Sequence, residues 1–193
     1  MTGIVQALVG GVLLGAVNTF GDFFWEWMNL RHRVAFGVAH GALLLFCLGL
    51  YLGILAGRPI AGAVGGIISG TLAACVFYAL APMMRLAAMF PAWVALWLLI
   101  GLLDGVVLRK GRVGQALARG AIAGAVSGLA FYAISGIWTR PSPGGPRYLV
   151  NFASWTIAFT PGFLALLVAR TTSAASAYTP QESRTASRPA GRS

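Results

Sequence analysis

Four carboxylates and two histidines are all that this 193-residue chain offers for acid, base or metal-ligand chemistry, against fourteen Lys and Arg. Asp22 and Glu26 stand four residues apart, hence on one helical face, and His32 follows closely. Two carboxylates and an imidazole can ligate a metal or work as an acid/base pair, yet this spacing matches no metal-binding or catalytic motif. Their neighbours Phe23, Phe24, Trp25, Trp27 and Met28 favour the membrane–water boundary, where an aromatic ring meets headgroups and chains at once. The expectation is an interfacial helix along the outer surface, ending near Arg31, His32 and Arg33. Asp104 is the one acid inside an apolar stretch and could take a proton or a ligand. With Arg109 and Lys110 about a turn away, neutralisation at the cytoplasmic boundary is the plainer reading. His40 is the imidazole set in apolar sequence; it could bond a polar ligand head or relay a proton, although a hydrogen bond to a neighbouring helix accounts for most such residues.

Those residues sit among six long apolar stretches: Gly3 to Phe20, Val34 to Leu55, Ile60 to Leu80, Pro91 to Leu108, Gly120 to Trp138 and Tyr148 to Ala169. At about 1.5 Å per residue each crosses or nearly crosses a hydrocarbon core of about 30 Å. Lipid offers the backbone no hydrogen-bond partners, and no segment shows the alternation of a barrel strand. The expected fold is therefore all-α, a polytopic membrane protein with a bundle of six transmembrane helices over residues 1–170. From Thr171 onward the Ser, Thr, Ala, Pro and Arg content buries too little apolar surface to offset ordering entropy, so 171–193 is expected to be a disordered basic tail.

A net charge of +10 in a soluble protein would point to nucleic acid. Here 58% of residues are hydrophobic and the basic ones lie at helix ends and in the tail, where they act as topology signals and headgroup contacts, so no nucleic-acid partner is expected. With the N-terminus inside, Arg58, Arg109, Lys110, Arg112, Arg119, Arg170, Arg184, Arg188 and Arg192 fall on the inner side and Arg31, Arg33, Arg85, Arg140 and Arg147 on the outer. That excess places both termini in the cytoplasm. Met1 to Val12 has no basic n-region and no small-residue cleavage site, so the first span is expected to be retained. The Gly, Ala and Arg richness suggests a bacterial cell inner membrane. Cys47 and Cys75 fall inside spans two and three and would pair only if those faces met.

Glycines recur four apart at Gly11 and Gly15, Gly37 and Gly41, Gly49, Gly53 and Gly57, Gly62, Gly66 and Gly70, and Gly120, Gly124 and Gly128. Such rows form smooth grooves in which helix backbones approach closely, and they single out spans three and five as central helices. Gly66, Gly70, Phe77, Tyr78 and Ala79 match Gly120, Gly124, Phe131, Tyr132 and Ala133 at a constant offset of 54, which also lays Arg58 on Arg112 and span two on span four. Pro161 and Gly162 should bend span six, since proline removes a backbone donor and clashes with the preceding turn. A kinked helix beside glycine-thinned ones leaves a gap. The expected ligand site has walls from Phe77, Phe131 and Phe159 and polar contacts from His40 and Thr160, and Ala79→Trp or Ala133→Trp is expected to fill it.

Over the C-terminal half, IGLLDGVVLRKGRVG (Ile100 to Gly114), FYAISGIW (Phe131 to Trp138) and Ser154-Trp155 with Phe159 and Gly162 together resemble the Insig family of sterol-responsive membrane proteins. The resemblance covers about half of the chain. It implies a six-helix bundle with a membrane-embedded cavity for a sterol or lipid, acting as a sensor or binding protein. Where that family has an Asp directly before an Arg, this chain has Val107, with Asp104 three residues early, so binding of the family's escort-protein partner does not follow.

No HExxH, GxSxG or P-loop sequence is present, so a protease, esterase or ATPase has no visible machinery, and neither catalysis nor a cofactor or metal is expected. Two other functions fit the residues: a small transporter or the substrate-binding subunit of a vitamin importer, and a scaffold that binds other membrane proteins. The glycine faces also suit homo-oligomerisation.

Overall fold

Stretches this apolar satisfy their backbone groups internally, and every described element is helical. A computed structural model describes residues 2–28, 34–138 and 147–177, with side-chain surroundings for all of these but 135–138 and 169–177. Helix α1 runs Gly3–Trp27, α2 Val34–Leu55, α3 Pro59–Met84, α4 Met89–Leu102, α5 Val113–Trp138 and α6 Arg147–Ala177. A 3₁₀ turn, Arg85–Ala88, joins α3 to α4, and a π-helical turn, Leu103–Leu108, continues α4. Among the described residues five continuous helical segments are long and apolar enough to cross a membrane; one of them is the 50-residue run Pro59–Leu108.

That run folds back on itself. Arg85 takes the left-handed φ of 51°, and beyond it α4 returns along α3 until Leu103 meets Gly65 and the Arg58 guanidinium donates to the Val107 carbonyl. The other joints are as short. Gly57, at φ +71°, ends α2, and Pro59 opens α3 at a position where its missing N–H costs nothing. Lys110, at φ 54°, closes the π-helical turn, with its N–H donating to the Val106 carbonyl and that of Gly111 to the Gly105 carbonyl.

Each helix packs on the next and α6 closes back on α1, so the six α-helices form a ring. The seams α1·α2 and α3·α4 are the least extensive. The centre of the ring is filled by Leu14 of α1, Leu45, Leu48 and Leu52 of α2, Trp97 and Ile100 of α4, and Phe159, Phe163, Leu166 and Leu167 of α6, all fully buried. The glycine rows face neighbouring helices. A methyl on Gly49 would run into the Gly62 carbonyl and the backbone of Gly66; a methyl on Gly101 would meet the Ala116 carbonyl and the backbone of Gly120 in the same way. The two hairpins thus repeat one packing geometry, with α3 and α5 related by 54 positions but α2 and α4 by 52, because the second connection is two residues longer.

Several expectations are corrected here. Spans three and five are not central helices; each is one member of the ring and turns its glycines on the helix before it. The aromatic segment after Asn18 is not a separate interfacial helix, because α1 continues unbroken to Trp27 and carries Asp22 into the bundle. Helix α6 runs through Pro161 and on to Ala177, past the expected end of the last span. Arg31, His32, Arg33, Arg140 and residues 178–193 lie outside the described residues.

Candidate functional site

Small residues on one hairpin and large rings on the opposite wall leave a space between them. Gly37 and Gly41 of α2 and Gly70, Ala73 and Ala74 of α3 face Ala92, Trp93 and Leu96 of α4 and Trp155 and Phe159 of α6 across a cavity of about 290 Å³. Phe77, Tyr78 and Met89, all half-buried, edge it along the α3·α4 seam. Its walls are apolar except at one end, where Asn18 and Asp22 of α1 and His40 of α2 meet.

That polar end is a tightly specified network. The Trp25 indole donates to His40 Nδ1 at 2.6 Å, and Nε2 of the same ring lies 2.8 Å from Asn18 Oδ1. An indole N–H is only a donor, so Nδ1 must accept and the single ring proton sits on Nε2, donated to the Asn18 carbonyl oxygen. Both nitrogens of His40 are therefore committed within the protein. Gly21 leaves room for the ring, since a methyl there would overlap its Cε1. Asp22 Oδ2 accepts from Asn151 Nδ2 at 3.1 Å and from Trp155 Nε1 at 2.8 Å, fastening α1 to α6. Trp155 is held in turn by ring contacts to Trp93, Phe131 and Phe159, with centroids 5.7 to 6.5 Å apart.

Of the five residues expected to form a site, the fold brings His40, Phe77 and Phe159 to one cavity. Phe131 is buried behind that wall, 5.5 Å from Trp93 and 5.7 Å from Trp155, and is not on the lining. Thr160 belongs to the α1·α6 seam, where its hydroxyl lies on Gly11 and donates to the Thr156 carbonyl at 2.7 Å. Ala79 and Ala133 are exposed on outward faces, so tryptophans there would not fill the cavity. Asn18, Trp93 and Trp155 line the cavity without having been among the five expected site residues, and Asp22 was expected at the surface. The four-residue spacing of Asn18 and Asp22 was the available signal, since it continues the face on which Gly11 and Leu14 are buried.

Other polar contacts lie away from the cavity. Asp104 is buried at the other end of α4, with Arg109 Nε 3.4 Å from its Oδ1, as its sequence neighbours suggested. The Ser127 hydroxyl donates to the Ala158 carbonyl and ties α5 to α6. Cys47 and Cys75 are free thiols, the latter exposed. Among the described residues no three His, Cys, Asp or Glu side chains are placed to hold a metal ion. Compared with protein-family models, with curated proteins and with solved structures, the chain gives no match.

Proposed function

We propose that the chain is a six-pass protein of a bacterial inner membrane, with both termini cytoplasmic, that binds a membrane lipid or sterol-like molecule in the cavity between the α2–α3 hairpin and the rest of the ring. The observation that carries this reading is the cavity itself: apolar over most of its wall, polar at Asn18, Asp22, His40 and the Tyr78 hydroxyl, and edged by half-buried side chains at one of the less extensive seams. Apolar walls supply contact area, and a few fixed polar groups set a ligand's direction. The back-folding of Pro59–Leu108 at Arg85 supports counting it as two passes, which gives six. With the N-terminus inside, the polar end lies toward the outer leaflet and the basic joint Arg109–Arg119 toward the cytoplasm. The role is binding or sensing, in keeping with the resemblance of the C-terminal half to the Insig family.

The test is photolabelling of the purified full chain with a photoreactive sterol and a photoreactive diacylglycerol, each competed by its unlabelled parent. Saturable labelling by one of them, reduced several-fold in Ala73→Trp and Ala92→Trp, whose side chains face the cavity from α3 and α4, is the expected result. Labelling that does not saturate, or that both tryptophan variants leave unchanged, overturns the proposal in favour of a scaffold or transporter.

A further inference from the structure

The polar end of the cavity has a definite sign. Every hydrogen-bonding nitrogen of His40 is used by Trp25 and Asn18, and Asn18 Oδ1 is already an acceptor of the ring proton. What remains for a ligand is Asp22, a half-buried carboxylate on the lining whose two neutral donors both reach Oδ2, with the Asn18 amide N–H groups and the Tyr78 hydroxyl as neutral polar groups on the same lining. Among the described residues no Lys or Arg lines the cavity. Arg147, the basic residue at the start of nearby α6, is exposed and stacks its guanidinium over Phe23, 5.7 Å from the ring centroid.

We infer that the cavity selects a ligand with a protonated amine head, whose ammonium N–H groups donate to Asp22 while its apolar body lies along Phe77, Trp93 and Phe159. This rests on the cavity being a lipid site, as proposed above. A phosphate or carboxylate head would meet a like charge with no cation among the described lining residues to offset it, and low-dielectric surroundings sharpen that repulsion. A hydroxyl can donate to the same oxygens, but an ammonium makes a charge-assisted bond roughly twice as strong. The aromatic rings beside the carboxylate add a further preference for a cation. At about 290 Å³ the cavity stands just below the range of roughly 300 to 1,000 Å³ for sites that enclose a drug-sized ligand, so it encloses a head and the first part of one chain. The rest passes out between Phe77, Tyr78 and Met89.

The experiment compares three heads on one chain length. Dodecylamine, dodecanol and dodecanoate are titrated, in phosphatidylcholine nanodiscs holding the full chain, as competitors of whichever photoreactive lipid labels the cavity saturably. Dodecylamine is expected to compete about tenfold more potently than dodecanol, with dodecanoate weakest, and Asp22→Asn is expected to remove the amine's advantage over dodecanol. If the three compete equally, or if the order is the same in Asp22→Asn, the amine inference fails and the lipid site stands. Should labelling not be saturable at all, the lipid site and this inference fall together. Were Asp22→Asn not to fold, the order of the three heads on the wild-type chain decides alone. Adding phosphatidylethanolamine to the nanodiscs separates the two sources of an ammonium head: weaker competition by dodecylamine names that phospholipid, and unchanged competition names a single-chain amine.

Discussion

At the residue scale, small size and committed hydrogen bonds carry most of the specificity. Gly49 is the clearest case: its Cβ would strike the Gly62 carbonyl and the Gly66 backbone, neither of which can turn aside as a flexible side chain would. Gly49→Ala should therefore destabilise the chain by about 1 to 3 kcal/mol, whereas Gly114→Ala, with nothing within 4 Å, should be neutral or stabilise by up to about 1 kcal/mol. Thermal unfolding of both in one detergent checks the contrast; equal effects would mean that the α2·α3 backbones are not in contact. His40 gives a second prediction. His40→Phe keeps an aromatic ring but leaves the Trp25 indole and the buried Asn18 carbonyl oxygen without partners, a loss of about 1 to 3 kcal/mol. An unfolding midpoint unmoved by this change would show that the Trp25–His40–Asn18 chain adds nothing to stability.

At the element scale, helix pairs in lipid are held by close backbone approach and by interhelical hydrogen bonds. The α1·α6 pair shows both. Gly11 and Gly15 of α1 receive the hydroxyl groups of Thr160 and Thr156, and Asp22 adds two charge-assisted bonds at the end of the same seam. The α4·α5 pair shows close backbone approach: Gly120 and Gly124 lie on the backbone of Trp97, Leu98 and Val94. Gly124→Leu should push α4 from α5 and cost about 1 to 3 kcal/mol. Because Trp93 lies on both that seam and the cavity wall, the same variant should also weaken photolabelling. Stability lost with labelling intact would show the cavity to be independent of the α4·α5 seam.

At the scale of the whole molecule, the ring of helices encloses a centre filled by leucines and aromatics, and the space left over lies where the α2–α3 hairpin meets its neighbours across less extensive seams. Topology is testable at this scale as well. A thiol introduced by Ser176→Cys should resist a membrane-impermeant reagent in intact cells and react after permeabilisation, because the basic residues favour a cytoplasmic C-terminus. Ready labelling from outside would reverse the orientation and put the polar end of the cavity toward the cytoplasm.

The sequence by itself determined that the chain is helical and where most of its helices lie, because the need to satisfy the backbone in lipid leaves long apolar stretches little alternative. It also located the close packing residues: the offset linking Gly66 and Gly70 to Gly120 and Gly124 reappears as a shared packing geometry. Which face of each helix turns inward was decided only by the tertiary structure. In a helix with a polar stripe that stripe marks the outside, but these helices are apolar on every face and neither Phe131 nor Thr160 carries a mark that separates wall from seam. The polar end of the cavity was hidden for a second reason. Asp22 is 129 residues from Asn151 and 133 from Trp155, so its role exists only once α6 closes the ring on α1. Read locally, the acid among aromatics belongs at the membrane surface; the closure of the ring makes it, among the described residues, the one charged group on the cavity lining.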